Sequence, residues 1–266
     1  MPLSSSSLQH RVAPRWLSAL LPIACVLSPV AMAQDGDSYL RAGLGVAWSE
    51  DTHFSDSDCT QTAPPALFGC QTGVDGRALG AYGDFDRGLT IEIGLGHRFT
   101  PRLRGEVLLD YRPGLEFDGD ANFLGVSGEQ PVDTQLDSLA AFAVGYLDFP
   151  NASRWQPYLG AGIGIARNRI DRVDYAFPGL GETAATRTSG GSDTGLAWLA
   201  TAGIAVELSP RLQLDLAYRY SDLGNVRGDR GPATIVRTSG TVTLDVGATR
   251  AQLTTQGVLA SLRWRF

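Results

Sequence analysis

The chain has 266 residues, which is enough for one large domain or two small ones. It contains 32 glycines, and its 28 acidic residues outnumber its 22 basic ones, so that the formal net charge is -6. This acidic balance argues against nucleic acid as a partner, because nucleic-acid binding needs a basic face. The mean hydropathy of -0.05 would suit a soluble protein, but a membrane β-barrel hides its apolar face in an alternating pattern that such an average misses.

The first 33 residues have the organisation of a secretory signal peptide. A basic start (Arg11 and Arg15) is followed by an apolar run (Trp16 to Val30) and a small-residue cleavage site (Ala31-Met32-Ala33). A membrane-spanning helix is the alternative, but the run is short and contains Pro22 and Pro29. Lipid attachment at Cys25 is a second alternative, which Pro22 and Ile23 disfavour. We therefore expect a cleaved signal peptide over residues 1–33 and a mature domain over residues 34–266.

Two cysteines remain in the mature chain, Cys59 and Cys70. In an exported protein the default expectation is a disulfide bond between them. A metal site is the alternative, but it would need clustered histidines or further cysteines. The sequence predicts no metal and no cofactor.

The last ten residues show a strand pattern with two contrasting faces. Apolar and charged or polar residues alternate there, with Val258, Ala260, Leu262, Trp264 and Phe266 on one face and Ser261, Arg263 and Arg265 on the other. Because side chains alternate along a strand, one face is apolar and the other cationic. Such a strand fits a wall between lipid and water.

Seven further segments are predicted as strands, and together with the last one they cover residues 39–48, 89–99, 103–117, 136–149, 156–169, 194–208, 212–221 and 257–266. Six of them alternate in the same way, whereas the fourth strand, residues 136–149, is the least regular because residues 139–144 are apolar on both faces. Long connections (49–88, 118–135, 171–193 and 222–252) alternate with three tight turns that contain Pro101, Pro150 and Pro210. An even-stranded outer-membrane barrel has this arrangement, with long outer loops and short periplasmic turns. Within the last loop, residues 241–246 predict a hairpin above the membrane. The predicted fold is all-β, an eight-stranded antiparallel up-and-down transmembrane β-barrel, because open strand edges are not tolerated in lipid.

Charged residues mark the face that is predicted to line the lumen. The acids are Glu92, Glu106, Asp110 and Asp215, and the bases are Arg41, Arg104, Arg112, Arg219, Arg263 and Arg265. A soluble barrel would instead have an apolar interior, and the position of these charges favours lipid outside. The lumen charges would form a salt-bridged plug, or alternatively line a narrow polar pore. An eight-stranded barrel is too narrow for a wide diffusion channel.

Four stretches carry a resemblance to a known family: residues 39–45 (YLRAGLG), 157–164 (PYLGAGIG), 218–224 (YRYSDLG) and the terminal strand. In these the chain resembles the opacity and outer-membrane-protein-A type of small β-barrels. The resemblance implies the outer membrane of a Gram-negative bacterium, with outer-membrane lipid and lipopolysaccharide as surroundings. It also implies that the barrel-assembly machinery reads the terminal strand through Leu262, Trp264 and Phe266.

The expected function is structural and surface-interacting, with four acidic loops that contact host or cell-surface ligands through polar groups, since the loops show few apolar clusters. A narrow porin-like channel is the alternative. A lipid A-modifying enzyme is a third hypothesis, in which Ser221 would need a histidine base. Only His53 and His97 remain in the mature chain, and neither shares a strand end with Ser221, so we expect no enzyme activity.

Overall fold

The computed structural model describes residues 37–150 and 153–266. The predicted signal peptide and its cleavage site lie outside the described residues. The described residues contain no helix with the length and apolar character needed to cross a membrane.

The secondary structure of the described chain is antiparallel β-sheet with one short 3-10 turn at Pro178–Leu180. Eight strands are long: β1 (Ser38–Ser49), β4 (Gly88–Arg98), β5 (Leu103–Ala121), β6 (Pro131–Asp148), β7 (Trp155–Ile170), β10 (Gly191–Ser209), β11 (Leu212–Gly228) and β14 (Thr249–Arg265). Six short strands belong to the connections: β2 (Thr52–Asp56), β3 (Ala81–Phe85), β8 (Val173–Ala176), β9 (Ala185–Thr188), β12 (Gly231–Arg237) and β13 (Gly240–Val246).

The eight long strands close into a ring. Each pairs antiparallel with two others in the order β1, β4, β5, β6, β7, β10, β11, β14, and β14 pairs with β1. At the closing seam Leu40 lies opposite Trp264, and Phe266 donates its backbone N–H to the Ser38 carbonyl. The predicted eight-stranded barrel is confirmed.

The two faces of the ring differ as the alternation predicted. Bulky aliphatic side chains point outward and are about half exposed or more, among them Leu44, Ile93, Val107, Ile163 and Val258. Charged residues point inward and are buried, with Arg41, Arg104, Arg219 and Arg263 nearly inaccessible to solvent. In a soluble protein this polarity would be reversed, so the outer face is built for acyl chains.

The fourth long strand was the least regular in sequence, and the structure gives the reason. Its inward residues include Phe142 and Val144, and they pack with Leu108 of β5 on one side of the lumen. The interior is therefore charged on one side and apolar on the other. Both faces of β6 are apolar because it borders the apolar side.

Several strands are longer than predicted. β5 and β10 have 19 residues each and β6 has 18, whereas about ten residues suffice to cross a bilayer. The additional length lies on the side of the long loops. There the hairpin of β2 and β3 inserts between β14 and β5, and β8, β9, β12 and β13 continue the sheet from β6, so the wall extends beyond the membrane.

This extension has an apolar core that is continuous with the apolar side of the lumen, and the expectation that the loops carry few apolar clusters was wrong. Phe54, Phe85 and Phe117 meet edge to face, with ring centroids 5.1 to 6.5 Å apart. Phe68 and Tyr175 pack beside them. The alternation of strand residues continues above the membrane, and here the inward positions are aromatic instead of charged. The predicted hairpin around residues 241–246 is present as β12 and β13.

Candidate functional site

The barrel interior holds a balanced set of charges. Five arginines and five carboxylates are buried there: Arg41, Arg104, Arg112, Arg219, Arg263, Glu92, Glu106, Asp110, Asp148 and Asp215. Nine of the ten charged residues predicted to line the lumen are in this set, whereas Arg265 is only partly buried and lies 3.6 Å from Glu207. Equal numbers of opposite charges allow each buried ion to have a partner, which burial of a charge requires.

The first half of the network runs from the end of β6 across β5, β1 and β4. Arg104 lies 3.0 Å from Asp148 and 3.8 Å from Glu106. Arg41 then bridges Glu106 at 2.7 Å and Glu92 at 2.9 Å. The signs alternate along this chain of contacts, so no two like charges are direct neighbours in it.

The second half crosses the lumen. The guanidinium of Arg219 lies 2.7 Å from Glu92 and 3.1 Å from Asp110. Arg112 completes the chain at 3.0 Å from Asp110. A separate pair joins Arg263 to Asp215, with Nε 3.0 Å from Oδ2.

Tyrosine rings fill the space around these ions. The Tyr39 hydroxyl donates to Glu106 at 3.0 Å and accepts from Arg104 at 3.1 Å. The Arg104 guanidinium also lies 3.8 Å from the ring centroid of Tyr146. Tyr146 occupies the space over Gly160, where a Cβ atom would come within 2.6 Å of its ring. The row of glycines on β7 therefore makes room for large interior side chains.

The network and rings leave no water-accessible space beside the central ions. Arg41, Arg104, Arg219 and Arg263 are each exposed by no more than 2%. A hydrated pore would expose its charged lining to solvent, and these guanidinium groups are not exposed. The lumen is therefore packed with side chains around these four guanidinium groups.

Asp148 belongs to this network, although the sequence did not single it out. It is the last residue of β6, directly before the turn that contains Pro150. The alternation of side chains along β6 could have identified it, because Asp148 falls on the same face as Val144 and Tyr146.

The residues considered for catalysis do not come together. Ser221 is buried in the lumen, where its hydroxyl accepts a hydrogen bond from Arg112 at 3.4 Å. His97 contacts the Ser38 hydroxyl at the periplasmic end of the barrel, while His53 stacks on Tyr82 in the outer extension. A serine nucleophile needs its base within hydrogen-bonding reach, and neither histidine occupies that position.

The first outer loop is closed by the disulfide bond between Cys59 and Cys70. The buried carboxylate of Asp56 anchors this cross-linked segment by accepting the backbone N–H groups of Leu67, Phe68 and Gly69 at 2.8 to 3.0 Å. No group of three potential metal ligands is found within residues 37–150 and 153–266.

Next to this segment, a polar and aromatic cluster lowers the pKa of two groups. His53 and Tyr82 are stacked with centroids 4.1 Å apart, and the Arg77 guanidinium lies 4.0 Å from the Tyr82 ring. Burial, together with the charge of Arg77, lowers the pKa of His53. Hydrogen bonds from the Arg77 side chain and backbone lower the pKa of Asp75.

The loops do not share their acidity equally, which corrects the expectation of four acidic loops. Residues 49–88 carry seven acids and two arginines, and residues 118–135 carry four acids and no base. Residues 171–193 have four acids and two arginines, whereas residues 222–252 have three acids and four arginines. The net charges are -5, -4, -2 and +1, so the fourth loop is slightly basic.

The terminal strand presents Leu262, Trp264 and Phe266 on the outer face, each about half exposed. Trp155 and Phe99 lie at the same end of the barrel, where β7 begins and just after β4 ends, and they are also exposed. Aromatic side chains at this level suit the boundary between acyl chains and headgroups.

A closed ring of eight strands, apolar outside and charged inside, defines an integral membrane β-barrel of the outer-membrane type. Residues 17–266 match the outer membrane protein beta-barrel domain family, and the chain belongs to that family. The protein is therefore an outer-membrane protein of a Gram-negative bacterium.

Similar proteins include an uncharacterised protein of Brucella suis, which is 29% identical over 73% of this chain and 71% of the relative. A putative adhesin of Rickettsia bellii is 26% identical over 52% of this chain and 61% of the adhesin. The chain spans about half, 54%, of further Brucella relatives. Among solved structures, the outer membrane protein OprG from Pseudomonas aeruginosa has 16% sequence identity and a TM-score of 0.49, and the match covers 87% of this chain and 96% of OprG.

Proposed function

We propose that the protein is a closed barrel that holds a folded extracellular domain in place for contacts with host or neighbouring cell-surface molecules. The observation that carries this proposal is the aromatic core of the extension, built on Phe54, Phe85 and Phe117. Burying three aromatic rings stabilises a fixed loop arrangement. A fixed arrangement is needed for specific recognition, because ordering flexible loops on binding costs free energy.

Two further observations support a surface role. The charges of the lumen neutralise one another and need no solute or ion, whereas the loops display uncompensated charge of both signs. The similarity to a protein described as a putative adhesin is in keeping with contacts at the cell surface.

Cells that display the protein provide the test. Gly231 and Val246 are register partners at the base of the β12–β13 hairpin, so residues 232–245 can be replaced by a two-residue turn without opening the barrel. At equal surface levels, we expect this variant to lose adhesion to cultured epithelial cells. The lipid-facing substitution Leu109→Ala is the matched control and should retain adhesion. Equal adhesion of the trimmed and intact proteins would overturn the proposal.

A narrow channel remains the second candidate function, and a lipid A-modifying enzyme the third. The burial of Arg41, Arg104 and Arg219 argues against a conducting path. The separation of Ser221 from both histidines argues against hydrolysis by a serine and histidine pair. We accordingly propose no enzyme activity and no cofactor.

The partners during assembly are part of the proposal. Outer-membrane lipid and lipopolysaccharide surround the apolar face, and the barrel-assembly machinery would read Leu262, Trp264 and Phe266. We expect Phe266→Ala to lower the amount of assembled barrel in cells, while refolding of the purified protein into lipid stays unchanged. Phe99→Ala, which removes a similar exposed ring at the same end, is the control. Equal assembly of the two variants would contradict a special role for the last residue.

Export by a cleaved signal peptide is also proposed. Mass spectrometry of the protein from outer membranes should give a chain that begins at Gln34. A chain that retains residues 1–33 would contradict the proposed cleavage.

A further inference from the structure

The outer extension contains an apolar cavity of about 250 Å³ that is not part of the barrel lumen. All four long loops line it: residues 65–67 of the cross-linked segment, residues 123–126, residues 177–186 and residues 233–246. Of the sixteen lining residues, fourteen are apolar. The four loops thus form a common core that is left incompletely filled.

The cavity is open to the outside. Leu124, Leu180 and Leu244 line it and are each more than a third exposed. Exposed leucines grouped around an apolar opening are characteristic of a binding site, because a surface without a ligand rarely keeps such a patch.

A single charged residue lies in this lining. Arg237, at the end of β12, is exposed, and its side chain makes no ion pair or hydrogen bond within the described part of the chain. The other polar lining residue is Thr186. An unpaired guanidinium beside an apolar cavity matches a ligand with an apolar body and one anionic group.

The volume limits the size of this ligand. A cavity of about 150 Å³ holds benzene, so about 250 Å³ has room for roughly ten carbon atoms. A second acyl chain would not fit. We therefore propose that this cavity binds a free single-chain anionic amphiphile, such as a medium-chain carboxylate, with its chain among the loops and its carboxylate on Arg237.

The experiment measures binding of decanoate by calorimetry to the full protein in phospholipid nanodiscs, with the heat of empty nanodiscs subtracted. Decan-1-ol and decyltrimethylammonium have the same chain with a neutral and a cationic head. We expect saturable binding of one decanoate per protein, roughly fivefold weaker binding of the alcohol, and still weaker binding of the cation, because an exposed ion pair contributes up to about a fivefold effect. Equal binding of all three molecules, or no saturable binding of decanoate, would overturn the proposal.

Two groups of variants test separately how the anionic head and the apolar chain of the ligand contribute to binding. Arg237→Gln should weaken decanoate about fivefold and leave decan-1-ol unchanged, whereas Arg230→Gln, on the same loop but outside the cavity lining, should change neither. Ala233→Phe fills the cavity and should abolish binding of both. Because Ala233 is fully buried and its replacement could disturb the hairpin, the half-buried Ala66→Phe is a second filling variant. Decanoate binding that survives both filling variants in folded protein would overturn the proposal.

A last experiment distinguishes two possible occupants of the cavity, a free amphiphile and an acyl chain of lipopolysaccharide. In nanodiscs that contain lipopolysaccharide, decanoate binding should persist. Loss of the decanoate site under that condition would show that the membrane lipid occupies the cavity, and would overturn the assignment to a free ligand.

Discussion

Arg219 on β11 and Glu92 on β4 form an ion pair across the lumen, with Nη1 2.7 Å from Oε2. Their strands are three positions apart in a ring of eight, separated by β14 and β1. The same guanidinium also reaches Asp110 on β5. One side chain thus holds together opposite walls of the barrel, and it is buried together with both of its partners.

Replacement of Arg219 should therefore destabilise the barrel strongly. Arg219→Leu leaves Glu92 and Asp110 buried with too little positive charge, and we expect a loss of about 3–5 kcal/mol in the free energy of unfolding. Urea unfolding of the protein refolded into lipid vesicles measures it. Arg172→Gln, which removes an exposed pair with Asp174, should cost about 0–1 kcal/mol. A loss for Arg219→Leu no larger than for this control would contradict a structural role for the network.

Two neighbouring glycines test how tightly the interior is packed. A Cβ atom at Gly160 would lie 2.6 Å from the Tyr146 ring and 2.9 Å from Thr201, whereas one at the outward-facing Gly145 meets no atom of the described chain within 4 Å. Gly160→Ala should cost about 1–3 kcal/mol through overpacking, and Gly145→Ala should be nearly neutral. The same unfolding assay compares them. Equal stability of the two variants would mean that the lumen is loosely filled.

The alternation of residues was sufficient to predict the ring and its polarity. Neighbouring side chains on a strand point to opposite faces, so Arg41 and Leu40 point in opposite directions, as do Arg263 and Leu262. Closure of the strands into a ring follows because an open strand edge is not tolerated in lipid. The pairing of particular charges could not be read in this way. Which acid meets Arg219 depends on the register of β11, β14, β1 and β4 and on the diameter of the ring, which are set by the whole barrel.

The extension was predicted poorly for a related reason. Phe54, Phe85 and Phe117 are far apart in sequence, and Phe54 and Phe85 lie in strands of five residues each, so no local pattern marks the three as one cluster. The loops were interpreted as polar from their composition. β2 and β3 insert beside β5, which brings Phe54 and Phe85 against Phe117 and makes these residues part of an apolar core.

Asp56 should control the order of the cross-linked segment. Its carboxylate accepts three backbone N–H groups, and Asp56→Asn replaces one acceptor oxygen by a donor. We expect the local opening free energy of residues 57–70 to fall by about 1–3 kcal/mol, with global unfolding unchanged. Amide hydrogen exchange measures both. Asp51→Asn, an exposed acid of the same loop, is the control, and equal exchange in the two variants would contradict the anchoring role.

The order of the first loop should depend on pH through His53. Its pKa is lowered in the folded loop by burial and by Arg77, so the folded state favours the neutral ring. The unfolded loop takes up a proton near pH 6.5, and stability therefore falls as the pH decreases from about 6.5 through the lowered pKa. Limited proteolysis should show faster cleavage of residues 57–70 in that window.

A non-titrating ring at the same position is the control for this effect. His53→Phe keeps an aromatic ring against Tyr82 and should make cleavage independent of pH over the window. The pKa of Asp75 is also lowered, so its contribution to the stability of the folded loop persists to lower pH and is lost only as the pH falls through that pKa. If His53→Phe retained the pH dependence of the intact protein, His53 would not be its source.

The central claim is that the lumen is closed by its own side chains. Single-channel recording of the purified protein in planar bilayers tests it most directly. We predict no discrete conductance steps from protein whose folded insertion is verified in the same preparation. Reproducible open steps that disappear when Arg104 or Glu106 is neutralised would contradict the account, because they would place a hydrated path through the ion pairs.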